Sequence, residues 1–86
     1  MHGKISSINS RTGLAALKTS EDSFSVFEMM GTAIEVGQEI SGDLESKGVI
    51  TVKNLSRNLD MEIYILETRC NSIRANELLQ WHSNGF

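Results

Sequence analysis

The side chains best suited to chemistry are few in this sequence and lie far apart. The two histidines, His2 and His82, are near opposite ends of the chain, and the one cysteine, Cys70, has no histidine close to it in sequence. Nucleophilic catalysis or metal binding needs several such groups at useful spacing, and the sequence has neither a glycine-rich phosphate loop nor a nucleophile elbow. We therefore expect a protein that is not an enzyme and uses no metal or other cofactor.

Length and composition indicate one ordinary globular domain. The chain has 86 residues, of which 40% are hydrophobic and 22% charged, and it contains no proline. Its first residues form no continuous apolar stretch, and no later run approaches the roughly 20 apolar residues of a membrane span. A lone cysteine fits a reducing compartment. These features predict a cytoplasmic location without membrane contact.

The charges are grouped along the chain. The net charge is −3, yet the first twenty residues carry Lys4, Arg11 and Lys18 without any acid, whereas residues 21–45 carry acids and no base. Such blocks form either two faces of opposite sign or, once strands pair, a surface of mixed sign. The mixed surface is favoured because opposite charges are the usual cross-strand neighbours. The acid-free beginning of the chain is the candidate surface for a polyanion.

Short apolar runs between turn residues predict an all-β sandwich or barrel. The predicted strands cover residues 3–8, 14–18, 23–29, 38–45, 49–53 and 61–66, and a short helix capped by Asn71 or Ser72 follows. Residues 38–45 show the clearest alternation, with Ile40, Gly42 and Leu44 on one face. The core candidates are Ile5, Leu17, Val26, Ile40, Leu44, Ile50 and Val52.

The order of strands and turns over residues 1 to about 55 resembles a cold-shock domain, a small barrel of the OB-fold group. The resemblance rests on Gly3-Lys4-Ile5 in the first strand, Gly13 before the second, Val26-Phe27 in the third, Val36-Gly37-Gln38-Glu39-Ile40 before the fourth, and Lys47-Gly48 in the last turn. It implies a small antiparallel OB-like barrel over residues 1–55. Residues 56–86 would be an extension, a strand and a short helix, packed as part of the same domain.

The resemblance also implies a function, binding of single-stranded nucleic acid by stacking bases on aromatic rings. The matching positions carry Ser7, Ile8, Leu14 and Ala16, and only Phe27 keeps an aromatic ring. Each stacked base contributes about 1 to 3 kcal/mol, so the loss of several rings predicts weak binding. The candidate nucleic-acid-binding residues are Lys4, Arg11, Lys18 and Phe27, although Phe27 fits a core position equally well.

A second family was considered on the segment Ser10-Arg11-Thr12-Gly13, which resembles part of the cyclic-dinucleotide-binding motif of PilZ domains. The acidic or amide residue of that motif would stand at position 8, which is Ile8. The arginines that would clamp the phosphates upstream are also missing, because Arg11 is the first arginine of the chain. We therefore reject a PilZ assignment.

The extension carries its own apolar pattern. The candidate interaction surface consists of Met61, Ile63, Ile65, Leu78 and Trp81. If exposed together they would form a patch of a few hundred Å², roughly the limit for soluble monomers. The strand either pairs with an open edge of its own barrel or with a second copy of the chain, and covering by the helix, with Trp81 as the anchor, is favoured.

These patterns also predict what kind of function the protein has. The sequence predicts a non-catalytic binding module whose extension contacts a protein partner or mediates homodimerisation. The alternative is weak binding of single-stranded nucleic acid of the cold-shock type.

Overall fold

A computed structural model describes residues 1–31 and 33–80 and shows six strands and one helix in them. The elements are β1 (His2–Asn9), β2 (Leu14–Thr19), β3 (Phe24–Met29), β4 (Glu39–Ser41), β5 (Gly48–Asn54), β6 (Leu59–Cys70) and α1 (Ser72–Gln80). The strands form a closed antiparallel barrel in the order β1-β2-β3-β6-β5-β4. The predicted all-β class, with a barrel, a further strand and a short C-terminal helix, is confirmed.

The sixth strand is an integral part of the barrel wall. β6 pairs with β3 on one side and with β5 along the whole length of β5 on the other. The resemblance implied a barrel that is closed by residue 55. The barrel closes only with β6, which fills the gap between β3 and β5. The sequence left open whether this strand pairs with its own barrel or with a second copy of the chain. The structure shows pairing with its own barrel.

The barrel interior holds the main core. The predicted core residues Ile5, Leu17, Ile40, Leu44 and Val52 are all buried there, and Ile50 is half-buried against them. Ala15, which the sequence did not single out, also lies there. So do Phe27 and the extension residues Met61, Ile63 and Ile65, for all of which a core position was one of two alternatives.

A second apolar layer lies outside the barrel, under α1. Leu14, Ala16 and Val26 face outward from β2 and β3 and pack with the helix residues Ala75, Leu78 and Leu79. Val26 is thus buried as predicted, but beneath the helix.

Both ends of the helix are held by side chains. The helix begins after Asn71, whose Oδ1 accepts a hydrogen bond from the backbone N–H of Arg74 at 2.8 Å, as expected for an N-cap. At its other end the Leu79 carbonyl accepts hydrogen bonds from Asn9 Nδ2 at 2.9 Å and Thr12 Oγ1 at 3.1 Å. These contacts fasten the helix to the β1–β2 turn. Trp81, the predicted anchor, lies outside the described residues.

The strand predicted over residues 38–45 is much shorter than its alternation suggested. β4 contains only Glu39–Ser41, and the chain then turns away so that Leu44 enters the core. Ser25 Oγ donates a hydrogen bond to the Leu44 carbonyl at 2.7 Å, which fixes this segment across one end of the barrel. Ile40 and Leu44 are both buried, but only Ile40 from a strand.

Candidate functional site

Two of the basic candidate residues come together on the barrel surface. Lys4 of β1 and Lys18 of β2 stand directly opposite each other, and together with His2 and Ser20 they line an open groove of about 400 Å³. Acids accompany both lysines: Lys18 Nζ lies 3.0 Å from Asp22, and Lys4 stands opposite Glu39 across the β1–β4 pair. The groove therefore offers a polyanion little net positive charge.

The other two candidates for nucleic-acid binding lie elsewhere. Arg11 is in the turn that joins β1 to β2, beyond Asn9, which is itself five residues or roughly 17 Å along β1 from Lys4. Phe27 has 0% of its surface exposed and lies in the barrel core between Ala15 and Ile65. The structure thus brings only two of the four candidates together, and the Phe27 ring has no free face on which a base could stack.

The helix also occupies the surface on which the cold-shock resemblance places base stacking. Leu14 and Ala16, which stand at the positions of stacking aromatics, are buried against α1. In OB-folds the face of strands 2 and 3 is a usual binding face for oligonucleotides. On this barrel the corresponding face is covered by part of the same chain.

We expect single-stranded oligonucleotides to bind weakly, with a Kd of about 0.1 mM or higher, and to lose affinity as salt rises. A fluorescence anisotropy titration at low and at moderate salt checks this. The triple variant with Lys4, Arg11 and Lys18 all changed to alanine should abolish the residual binding. Submicromolar binding that resists salt would contradict the expectation, since it needs contacts that the covered face cannot offer.

Four of the five apolar candidates of the extension are buried, and Trp81, the fifth, lies outside the described residues. Met61, Ile63 and Ile65 point into the barrel and are at most 4% exposed, and Leu78 is buried between α1 and the barrel. These residues complete the core, which was one of the two alternatives predicted for the extension. The other was a self-association surface. The outward face of β6 is made by the residues between Met61, Ile63 and Ile65.

That outward face carries an apolar patch that sequence reasoning missed. Tyr64 of β6 stands directly opposite Val49 of β5, and Leu66 lies two residues farther along the same strand. Their exposed fractions are 42%, 55% and 39% respectively. We refer to Val49, Tyr64 and Leu66 as the Tyr64 patch. The sequence does indicate this patch through the unbroken apolar run over residues 63–66. Because successive residues of a strand point to opposite faces, such a run places apolar side chains on both faces.

Charged pairs border the Tyr64 patch. Lys47 Nζ lies 3.2 Å from Glu67 at one end. At the other end Thr51 stands opposite Glu62, and Lys53 stands opposite Asp60 beyond them. Because each base at this border has an acid beside it, the patch is an apolar area within a surface of mixed sign. This agrees with the interleaved charges favoured from the sequence.

Cys70 is a buried thiol at the junction of β6 and α1. Burial raises the pKa of this thiol, and the nearby Glu67 carboxylate raises it further. A raised pKa lowers the thiolate fraction at any given pH, and the thiolate is the reactive form. Cys70 is therefore suited to packing rather than to nucleophilic chemistry.

Alkylation of Cys70 by iodoacetamide at pH 8 should be much slower in the folded protein than in denaturant. Mass spectrometry of quenched samples measures the rate, with Cys70→Ser as the blank. A folded-state rate equal to that of a free cysteine would contradict the burial of this thiol.

Two further kinds of feature are absent from the part of the chain that the structure describes. Residues 1–31 and 33–80 contain no group of three or more histidine, cysteine, aspartate or glutamate side chains arranged to hold a metal ion. Over the same residues, no helix has the length and apolar character needed to cross a membrane.

Comparison with known proteins gave no match to a family model, a curated protein or a solved structure. Function is therefore argued from the chemistry and geometry of this chain.

Proposed function

We propose that this protein is a non-catalytic β-barrel module that binds another protein through the Tyr64 patch. The observation that carries the proposal is the cross-strand pair of exposed apolar side chains Val49 and Tyr64 on the outer wall of β5 and β6, with the exposed Leu66 two residues from Tyr64 along β6. The sequence predicted an interaction surface on the extension. The proposed surface includes the outward residues Tyr64 and Leu66 of that extension, together with Val49 of β5.

The composition of the patch suits a protein interface. Tyrosine combines a large apolar ring with a hydroxyl that can form a hydrogen bond, and it is enriched at the centres of interfaces. The leucine and valine beside it add apolar area that loses water on contact. Charged pairs at the border correspond to the polar rim that surrounds such centres.

The position of the patch also favours binding. β5 and β6 are paired over seven consecutive residues, so the backbone beneath Val49 and Tyr64 is already ordered. Binding on a pre-ordered surface avoids part of the entropy cost of association. Helix α1 packs on β1, β2, β3 and β6 and makes no contact with β5 among the described residues, which leaves this side of the wall open.

An OB-like, cold-shock-like role in nucleic-acid binding is the second candidate. Its support is the strand order β1-β2-β3 followed by closure of β4 onto β1, together with the Lys4 and Lys18 pair on one surface. The covered β2–β3 face and the buried Phe27 weigh against it.

The test begins with a photocrosslinker placed at the centre of the patch. Incorporation of p-benzoylphenylalanine in place of Tyr64, in cells that produce the protein, allows a bound protein to be captured and identified by mass spectrometry. The identified protein is then purified, and its Kd for the full chain is measured by calorimetry.

Variants of the patch decide the outcome. Tyr64→Thr and Leu66→Thr keep strand propensity and should each weaken binding about tenfold or more. The matched control is Ile73→Ser, which removes a still more exposed apolar side chain from the first turn of α1. The proposal fails if the patch variants bind as the unaltered chain does, or if the only protein captured is a second copy.

A further inference from the structure

Two carboxylates on the outer barrel wall stand next to Tyr64. Glu28 of β3 is directly opposite Tyr64 across the β3–β6 pair, and Glu62 lies two residues before Tyr64 along β6. Their strand neighbours Phe27 and Ile63 point into the core, so these three side chains point outward, because successive strand residues face opposite sides. All three residues are exposed. Tyr64 is therefore an exposed aromatic ring with a carboxylate on two of its sides.

Neither carboxylate has a basic partner among the residues that the structure describes. The residue opposite Glu62 on β5 is the uncharged Thr51, and the residue opposite Glu28 on β2 is Leu14. The two lysines at the border of the Tyr64 patch already stand beside other acids. The negative charge next to Tyr64 is therefore available to a partner.

The sign of this charge bears on the kind of partner. Both carboxylates repel a polyanion and attract a cation. A wholly apolar partner surface would take water from the carboxylates without giving them a counter-charge, which is costly. The partner that fits brings a cation together with apolar side chains.

The spacing of the two carboxylates favours one kind of cation. Directly opposite residues of a sheet have Cβ atoms about 4.5 to 5.5 Å apart, and residues two apart along a strand are separated by about 7 Å. A cation on the Tyr64 ring is thus within reach of both Glu28 and Glu62. A guanidinium is planar, stacks on aromatic rings and donates paired hydrogen bonds to carboxylates, whereas an ammonium acts as a point charge.

We infer that the Tyr64 patch binds an arginine side chain of the partner protein, with the guanidinium stacked on Tyr64 and hydrogen-bonded to Glu28 and Glu62. This inference rests on the proposed function and specifies the chemistry of the partner. Arginine is among the residues that contribute most to binding at interface centres. Val49 and Leu66 then contact apolar side chains that flank the arginine.

Three synthetic peptides test the inference on the full chain. Each has the sequence glycine-leucine-X-leucine-glycine with blocked ends, and X is arginine, lysine or citrulline, which has the shape of arginine without its charge. In two-dimensional NMR titrations, the arginine peptide should shift the amides of Glu62 and Tyr64 most. It should bind about threefold more tightly than the lysine peptide and about tenfold more tightly than the citrulline peptide. The δ protons of its arginine should move upfield, because they lie over the Tyr64 ring.

Variants of the two carboxylates provide the matched comparison. Glu28→Gln and Glu62→Gln each remove one charge and keep the side-chain shape, and each should weaken binding of the arginine peptide about three- to fivefold. Glu21→Gln is the control, since it removes the same charge from the exposed β2–β3 turn, at the opposite end of β3 from Glu28. This control should bind as the unaltered chain does. Tyr64→Thr should abolish the upfield shift of the arginine protons.

The inference is overturned if the citrulline peptide binds as tightly as the arginine peptide, or if both carboxylate variants bind as Glu21→Gln does. It is also overturned if the arginine peptide leaves the Tyr64 resonances unchanged at millimolar concentration.

The captured partner separates this inference from the proposed function. Should Tyr64→Thr weaken binding of that partner while Glu28→Gln and Glu62→Gln do not, the Tyr64 patch stands as the docking surface and the arginine contact falls. Should Tyr64→Thr leave binding of the partner unchanged, the proposed function fails, and the inference fails with it.

Discussion

A chain that ends at residue 58 is expected to be unfolded. The truncation removes β6, which pairs with both β3 and β5, and takes Met61, Ile63 and Ile65 out of the core. Losing one buried side chain of this size costs about 2 to 5 kcal/mol, and the total stability of a domain is only about 5 to 15 kcal/mol. Far-UV circular dichroism and the dispersion of amide resonances should both show an unfolded or aggregated chain.

A chain that ends at residue 71 is the control for this truncation. It keeps β6 and the closed barrel but lacks α1, so that Leu14, Ala16 and Val26 lose their cover. Its circular dichroism should remain strand-like, with lower stability and a tendency to associate. A soluble chain of residues 1–58 with a cooperative unfolding transition would contradict the place of β6 in the barrel wall.

The substitution Phe27→Ala is expected to destabilise the protein by about 3 to 5 kcal/mol. Phe27 is the largest fully buried side chain of the described residues, and its neighbours across the sheet are Ala15 and Ile65. Because Ala15 is small, loss of the ring leaves a cavity in the core. Urea denaturation followed by circular dichroism measures the loss.

The conservative change Phe27→Leu tests whether volume is what matters at this position. It retains most of the apolar volume and should cost less than half as much as Phe27→Ala. Equal stability of Phe27→Ala and the unaltered chain, combined with a loss of oligonucleotide binding, would instead place the ring at a nucleic-acid surface.

Most strand positions were predictable from the short apolar runs, although the strand over residues 38–45 is shorter than its alternation suggested. Strand pairing was not predictable. The predicted strand over residues 61–66 lies within β6, which continues to Cys70 and adopts a positive φ of 55° at Arg69. The polar residues Glu67, Thr68 and Arg69 give no apolar alternation by which the longer strand could be recognised. The insertion of β6 between β3 and β5 depends on contacts far apart in sequence, which local patterns do not report.

The candidate site shows the same limit at the level of single residues. The apolar alternation of β6 marked Met61, Ile63 and Ile65, and the more strongly apolar face of a strand is usually the buried one. The exposed residues Tyr64 and Leu66 were therefore the better candidates for an interface. The early end of β4 had no sequence signal either, because it accompanies the burial of Leu44 in the core.

The place of β6 in the wall also bears on how the protein is made. β6 leaves the ribosome after the five strands among which it must be inserted, and until then β3 and β5 both have an edge that nothing in the barrel can pair. At about 5 to 20 residues per second, that interval lasts on the order of a second. We therefore expect the nascent barrel to expose both edges to chaperones that hold extended apolar segments, and slowing translation before β6 should lengthen that exposure.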